Sequence, residues 1–215
     1  MFVRRESFKE YIRLYPITTC LIAINIIMLV IMEIYGSSLD SYTLLKFGAM
    51  FTIPDFQPEW WRYITAIGLH AGWTHMLFNS FSLLIFAPPL ERMLGKWRYV
   101  VCYIASGVAG NIISGLFQKD YVISVGASGA IYGIYAAYVY LAIFRKDIMD
   151  ESSGKTIKII IGIGIIHSLI VPNINLWAHL GGFIGGFVTI ALMVYFVRRR
   201  YSKRNEREEP VGDES

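Results

Sequence analysis

Charge is what this chain has least of: 17% of its 215 residues are Asp, Glu, Lys or Arg, while 55% are hydrophobic. With a mean hydropathy of +0.48, that scarcity excludes an ordinary soluble domain. Cysteine occurs twice, as Cys20 and Cys102, both inside apolar runs. Two such thiols exclude a disulfide framework and a cysteine-built metal site, and both are expected to be buried apolar side chains. Acids are missing from the interior of the apolar runs, apart from Glu33 near the end of the first. A histidine deep in those runs therefore has no carboxylate at its own depth to orient it.

What the chain does have is long apolar runs. Stretches of about 17 to 25 apolar residues read as membrane-spanning helices, and six are expected, at roughly 16–35, 70–90, 99–117, 126–144, 156–171 and 176–197. Arg4 and Arg5 precede the first, as in a signal peptide. Its length, the acids Glu6 and Glu10, and the lack of a small-residue cleavage pattern make it a retained helix instead. With both termini taken as cytoplasmic, all but Lys46, Arg62 and Lys119 of the 20 basic residues fall on the inner side. That asymmetry orients six spans. The net charge of +4 then reflects topology and anionic lipid, not nucleic-acid binding.

The expected organisation has three parts. Residues 1–15 form a cytoplasmic interfacial helix, with Phe8, Tyr11, Ile12 and Tyr15 at helical spacing among basic residues. Residues 16–197 form one membrane domain, and 198–215 a charged, disordered cytoplasmic tail. The loop at about 36–62 is long yet carries Phe47, Met50, Phe51, Ile53, Phe56, Trp60 and Trp61, so it is expected to lie half-submerged at headgroup level. Small residues recur every fourth position, as in Gly129/Gly133 and Gly182/Gly186. Such spacing lets helices approach closely.

Against this background a few polar residues stand out. Ser128 heads one apolar run in Gly126-Ala127-Ser128-Gly129, and His179 heads another. Polar and ionisable groups inside a membrane are expensive and point to function. At 1.5 Å per residue, Ser128 lies about 25 Å above Arg145, His179 about 28 Å above Arg198, and His75 about 25 Å above Arg92. Asn79 is one turn below His75 on the same helix face. These four are expected to share one layer, below the outer surface. To reach it, residues 118–125 must enter the membrane as non-helical backbone, which is tolerated only around a protein-lined or watery cavity.

That layer supplies the parts for acyl transfer. A serine hydroxyl needs a base to become a nucleophile, and a histidine can serve. The developing oxyanion needs donors. Asn79, His75 and the backbone N–H of Ser128 at a helix start could provide them, with the helix dipole adding to the same effect. With no acid at that depth, a Ser–His dyad is expected, with Tyr132, one turn after Ser128, packing against the imidazole. The pattern is not the nucleophile elbow of soluble hydrolases, because position 130 is Ala and no strand is expected before it.

Taken in order, Trp61-Arg62, His70-x4-His75-x3-Asn79, Glu91-x3-Gly95, Gly126-x-Ser128-Gly129 with Tyr132, and Ala178-His179-x2-Gly182-x3-Gly186 resemble the signature of the rhomboid intramembrane serine proteases, in their minimal six-helix bacterial form. The resemblance implies an all-α polytopic bundle of six transmembrane helices. It implies Ser128 as nucleophile, His179 as base, and His75 and Asn79 at the oxyanion. Trp61-Arg62 would brace the first loop, with Glu91-x3-Gly95 in the loop after helix two. Phe78 and the fifth helix would flank a lateral opening, and His70 would brace the mouth. The implied reaction is hydrolysis of a peptide bond in or near a transmembrane segment of a membrane-protein substrate, near the outer face of the plasma membrane. No cofactor and no metal are required. His167 belongs to no motif and is expected to be a packing or cavity residue.

Two rivals remain. An intramembrane metalloprotease or metal transporter would use the four histidines as ligands, but there is no H-E-x-x-H and no acid at the right depth. A catalytically inactive relative that binds membrane clients would ordinarily lack the serine or the histidine, and this chain keeps both.

Overall fold

The computed structural model describes residues 6–53, 56–145, 147, 151–170 and 174–208. It opens on α1 (Phe8–Leu14), whose N-cap Ser7 and Glu10 form a reciprocal capping box. The first five residues of the expected interfacial segment lie outside the described residues. Next comes α2 (Pro16–Tyr35), with Pro in its first turn and no side-chain cap of its own. Its exposed amides are met from far along the chain. Glu91 accepts from Ile17 N at 2.9 Å, Thr18 N at 2.8 Å and Thr18 Oγ1 at 2.7 Å. The sequence reading put Glu91 in a loop. It lies in the last turn of α5 (Trp73–Leu94), 3% exposed, and Gly95 ends that helix with φ of +76°. Buried there, the carboxylate serves as the missing cap of α2.

Two prolines, Pro88 and Pro89, sit inside α5. Pro88 has no N–H to give the Leu84 carbonyl one turn back, and the Tyr11 hydroxyl donates to that carbonyl at 3.4 Å. The proline gap thereby fastens α1 to α5.

The first loop is built, not loose. Asp40 caps α3 (Ser41–Phe47), and its carboxyl is held below the usual range by the Thr43 N–H. Gly48 closes α3 in the left-handed region, and β1 (Met50–Thr52) follows. Residues 118–125 contain β2 (Val122–Ser124), antiparallel to β1 with Met50 opposite Ser124 and Thr52 opposite Val122. The chain is mostly helical, as expected; this small two-stranded sheet is an addition that the sequence does not predict. Each strand is three residues long, too short for alternation to be visible in sequence. The short α4 (Arg62–Thr65) and a 3-10 turn (Ala66–Gly68) lead into α5.

The rest is helical: α6 (Lys96–Phe117), α7 (Ser128–Phe144), α8 (Glu151–Ile170) and α9 (Leu176–Glu208). α9 carries the helix ten residues past Arg198, where a disordered tail was expected; 209–215 lie outside the described residues. Glycines let α6, α7 and α9 meet backbone to backbone. A β-carbon on Gly182 would overlap the Gly129 carbonyl, and one on Gly186 would overlap Gly133. Behind this seam Leu83, Leu90, Tyr99, Tyr103, Ile134 and Tyr138 form a buried core.

Among the described residues, three helices are long and apolar enough to cross a membrane: Pro16–Tyr35, Lys96–Phe117 and Leu176–Arg200, with Ser128–Phe144 shorter but apolar. Large apolar side chains, including Ile27, Phe81, Ile163 and Leu192, face outward. The chain is a multi-pass membrane protein. Of the two thiols, Cys102 is buried, but Cys20 is exposed on α2, contrary to expectation. On a lipid-facing helix an apolar thiol incurs no desolvation cost.

Candidate active site

Ser128 opens α7, and the turn that delivers it is set by Gly126, at φ +128°. Other residues avoid that region. The Gly126 N–H donates to the Ala66 carbonyl at 2.9 Å, and the Ala127 N–H approaches His70 Nε2 at 3.5 Å. His70 is fully buried and in edge contact with His75, with ring centroids 5.1 Å apart. A β-carbon at Gly126 would lie 2.8 Å from His75 Cε1, 2.9 Å from its Nε2 and 3.8 Å from Ser128 Oγ. The His75 ring and the Ser128 hydroxyl therefore flank the small space that this glycine leaves. No side chain caps α7, whose N-cap is Ala127, so its first-turn amides point toward the same end.

Asn79 is 6% exposed and donates through Nδ2 to the His75 carbonyl at 2.9 Å. One of its two amide protons is thereby committed to its own helix.

His179 sits in the first turn of α9 and is 8% exposed. Asn175 precedes that helix, accepting from Ala178 N at 3.0 Å and donating to Ser114 Oγ at 2.6 Å and Ser124 Oγ at 3.1 Å. The base-bearing helix is thus tied to α6 and to β2. Tyr132 stacks on the imidazole, centroids 4.2 Å apart and planes 13° from parallel. Ser128 is one turn before Tyr132 on the same face of α7, and Gly129 packs against the Ala178 carbonyl beside His179. The α7–α9 seam of Gly129, Gly182 and Gly186 is what brings serine and histidine to one end of the bundle.

Two polar residues escaped the sequence reading. Ser168 on α8 places Oγ 2.9 Å from His179 Nδ1 and 2.6 Å from the Tyr132 hydroxyl. Asn175 is the other. A serine in an apolar helix and an asparagine in a loop are both common, so neither carried a signal. The His167 side chain lies outside the described residues.

Trp61 and Arg62 stand at the start of α4. Arg62 donates to the Leu45 and Ala49 carbonyls at 2.8 and 3.0 Å, pairs with Glu59, and has its guanidinium 4.5 Å from the Trp61 ring centroid. The pairing holds the Glu59 carboxyl below its usual range. Phe78 projects outward from α5, 61% exposed. Among the described residues, no three His, Cys, Asp or Glu side chains converge as metal ligands would.

Comparison with known proteins identifies the family. A family model described as the rhomboid domain matches residues 57–196, more than half of the chain. The putative rhomboid protease YdcA of Bacillus subtilis (strain 168) is 40% identical over 205 residues, covering 94% of this chain and all of that protein. Rhomboid protease GluP of the same organism is 38% identical over 82% of this chain but only 34% of its own length. RHOMBOID-like protein 1 of Arabidopsis thaliana is 36% identical over 80% of this chain and 44% of its own. A family model over more than half of the chain and relatives of this identity and coverage show that the chain belongs to the rhomboid family.

Proposed function

We propose that this protein is an intramembrane serine endopeptidase that hydrolyses peptide bonds in or near transmembrane segments of membrane-protein substrates. The observation that carries the reading is the α7–α9 seam: the turn following Ser128 lies against His179, with Tyr132 stacked on the imidazole. The names of its relatives as rhomboid proteases support the same reading.

In this reading His179 takes the Ser128 proton as Oγ attacks the scissile carbonyl, and later gives it to the leaving amine. The tetrahedral oxyanion forms in the space over Gly126. There the His75 ring, the remaining Asn79 amide proton and the Ser128 N–H can donate to it, aided by the uncapped end of α7. Water then releases the acyl group by the same proton path in reverse. Trp61 and Arg62 keep the first loop in place above this end. An intact substrate helix hides its carbonyls in its own hydrogen bonds, so the cleaved segment must unwind; residues that weaken a helix favour cleavage. Phe78 and α8 flank the side through which such a segment enters. Six spans, both termini in the cytoplasm and a site opening to the outer face of the plasma membrane complete the proposal, on the charge asymmetry of the loops.

The test is cleavage of a transmembrane model substrate by purified protein in detergent. Wild type is expected to cleave with or without EDTA, and Ser128→Ala and His179→Ala are each expected to lose at least about a thousandfold in rate. Cleavage by Ser128→Ala would overturn the mechanism. Chelator-sensitive cleavage would point to a metal, and failure of every form on two substrates would favour a client-binding protein.

A further inference from the structure

Three polar contacts run in series beside the imidazole. Ser168 Oγ is 2.9 Å from His179 Nδ1, the Tyr132 hydroxyl is 2.6 Å from Ser168 Oγ, and Tyr132 donates to the Gly164 carbonyl at 2.7 Å. Ser168 is 6% exposed, so water competes little for these bonds. The direction of the series can be deduced. A carbonyl only accepts, and a phenol has one proton, so the Tyr132 proton is committed to Gly164. The Tyr132–Ser168 contact then uses the Ser168 proton. That leaves Ser168 Oγ an acceptor toward His179, and Nδ1 must carry the hydrogen. A neutral imidazole protonated on Nδ1 has its lone pair on Nε2.

We propose that Ser168 is a positioning residue for the base: it holds His179 in the Nδ1–H tautomer, so that Nε2 is the nitrogen that takes the Ser128 proton. The inference rests on the reading of Ser128 and His179 as nucleophile and base. The proton balance is simple. The Ser128 proton moves to Nε2 and on to the leaving amine; the Nδ1 proton stays, and Ser168 neither gains nor loses one. When the imidazolium forms, its bond to Ser168 becomes charge-assisted and shortens. The hydroxyl thereby fills, without charge, the orienting place that a carboxylate holds in soluble serine proteases. A charged carboxylate here would be far more costly to bury. The orienter comes from α8, a different helix from those bearing Ser128 and His179, so seating α8 completes the base.

The test uses the full chain in detergent with Ser168→Ala, Ser168→Thr and Ser128→Ala, reading kcat and KM separately, together with thermal stability. Histidine 15N NMR of wild type and Ser168→Ala reports the tautomer. Ser168→Ala is expected to lower kcat by roughly tenfold to a hundredfold, as loss of a histidine-orienting hydrogen bond does elsewhere, with KM little changed. Ser168→Thr, which keeps the hydroxyl, is expected to restore most of the rate, and the Nδ1–H signal of wild type is expected to become mixed in the alanine variant. An unchanged kcat, an unchanged tautomer, or equal losses of rate and stability in Ala and Thr would overturn the proposal. Were Ser128→Ala still active, the underlying assignment would fail instead.

Discussion

A single methyl group on Gly126 would disturb the site in two ways. The φ of +128° is strained for any other residue, and the added carbon would lie 2.8 Å from His75. Gly126→Ala is therefore expected to lower stability by about 1–3 kcal/mol and cleavage by roughly a hundredfold or more, since small displacements of a reacting constellation are costly. Thermal unfolding and cleavage rate, measured on one preparation, check both. A rate loss without any stability loss would mean that the ring moves freely, and with it the idea of a tight space over Gly126 would go. At this scale the sequence singles out candidates where a residue is chemically out of place. Ser128, His179, His75 and Asn79 interrupt apolar runs, and Tyr132 shares a helix face with Ser128 at i and i+4. Ser168 interrupts a run too, but serine is also an ordinary packing residue in membrane helices, and only its bond to Nδ1 distinguishes it.

Among the elements, α2 depends on a cap it does not carry. Glu91→Ala leaves Ile17 N, Thr18 N and Thr18 Oγ1 without their acceptor in a buried setting. Losing charge-assisted bonds of this kind costs about 2–3 kcal/mol. The variant is expected to melt earlier in detergent, with amide hydrogen exchange rising first at Ile17 and Thr18. Exchange unchanged there would show that the cap does not hold the helix end. Element positions were readable from apolar length, and the first run coincides with α2 at both ends. What could not be read was anything decided by a distant partner. Lys96–Phe117 begins three residues before the expected run because the start is set by Gly95 and not by hydropathy. The pairing of β1 with β2 joins segments about seventy residues apart, and neither shows strand periodicity. The first loop was read as an aromatic anchor; its caps and strand depend on Asp40, Gly48 and Arg62, whose partners only folding brings near.

Across the whole molecule, the orientation proposed above rests on where lysine and arginine were left out. Lys46→Cys and Lys158→Cys, in a chain whose Cys20 and Cys102 are replaced by alanine, test it in intact cells. An impermeant maleimide is expected to label the first without permeabilisation and the second only after it. The reverse pattern would invert the topology proposed for the site. Placement of the apolar surface was legible at this scale, because a bilayer demands it of every span; the close α6–α7–α9 seam needed the structure, since the same glycine spacing fits several helix pairs.

The bond from Thr18 to Glu91 also sets an order of events in biogenesis. The two residues are 73 positions apart, so a ribosome adding about 5–20 residues per second delivers the carboxylate roughly 4–15 s after the amides it will receive. Through that interval the first span is in the translocation machinery or the lipid with its leading turn still open to water. It acquires its final end only when the helix carrying Glu91 arrives. The N-terminal third of the protein is thus made early but finished late, and an arrest between these two points would leave it a substrate for membrane quality control.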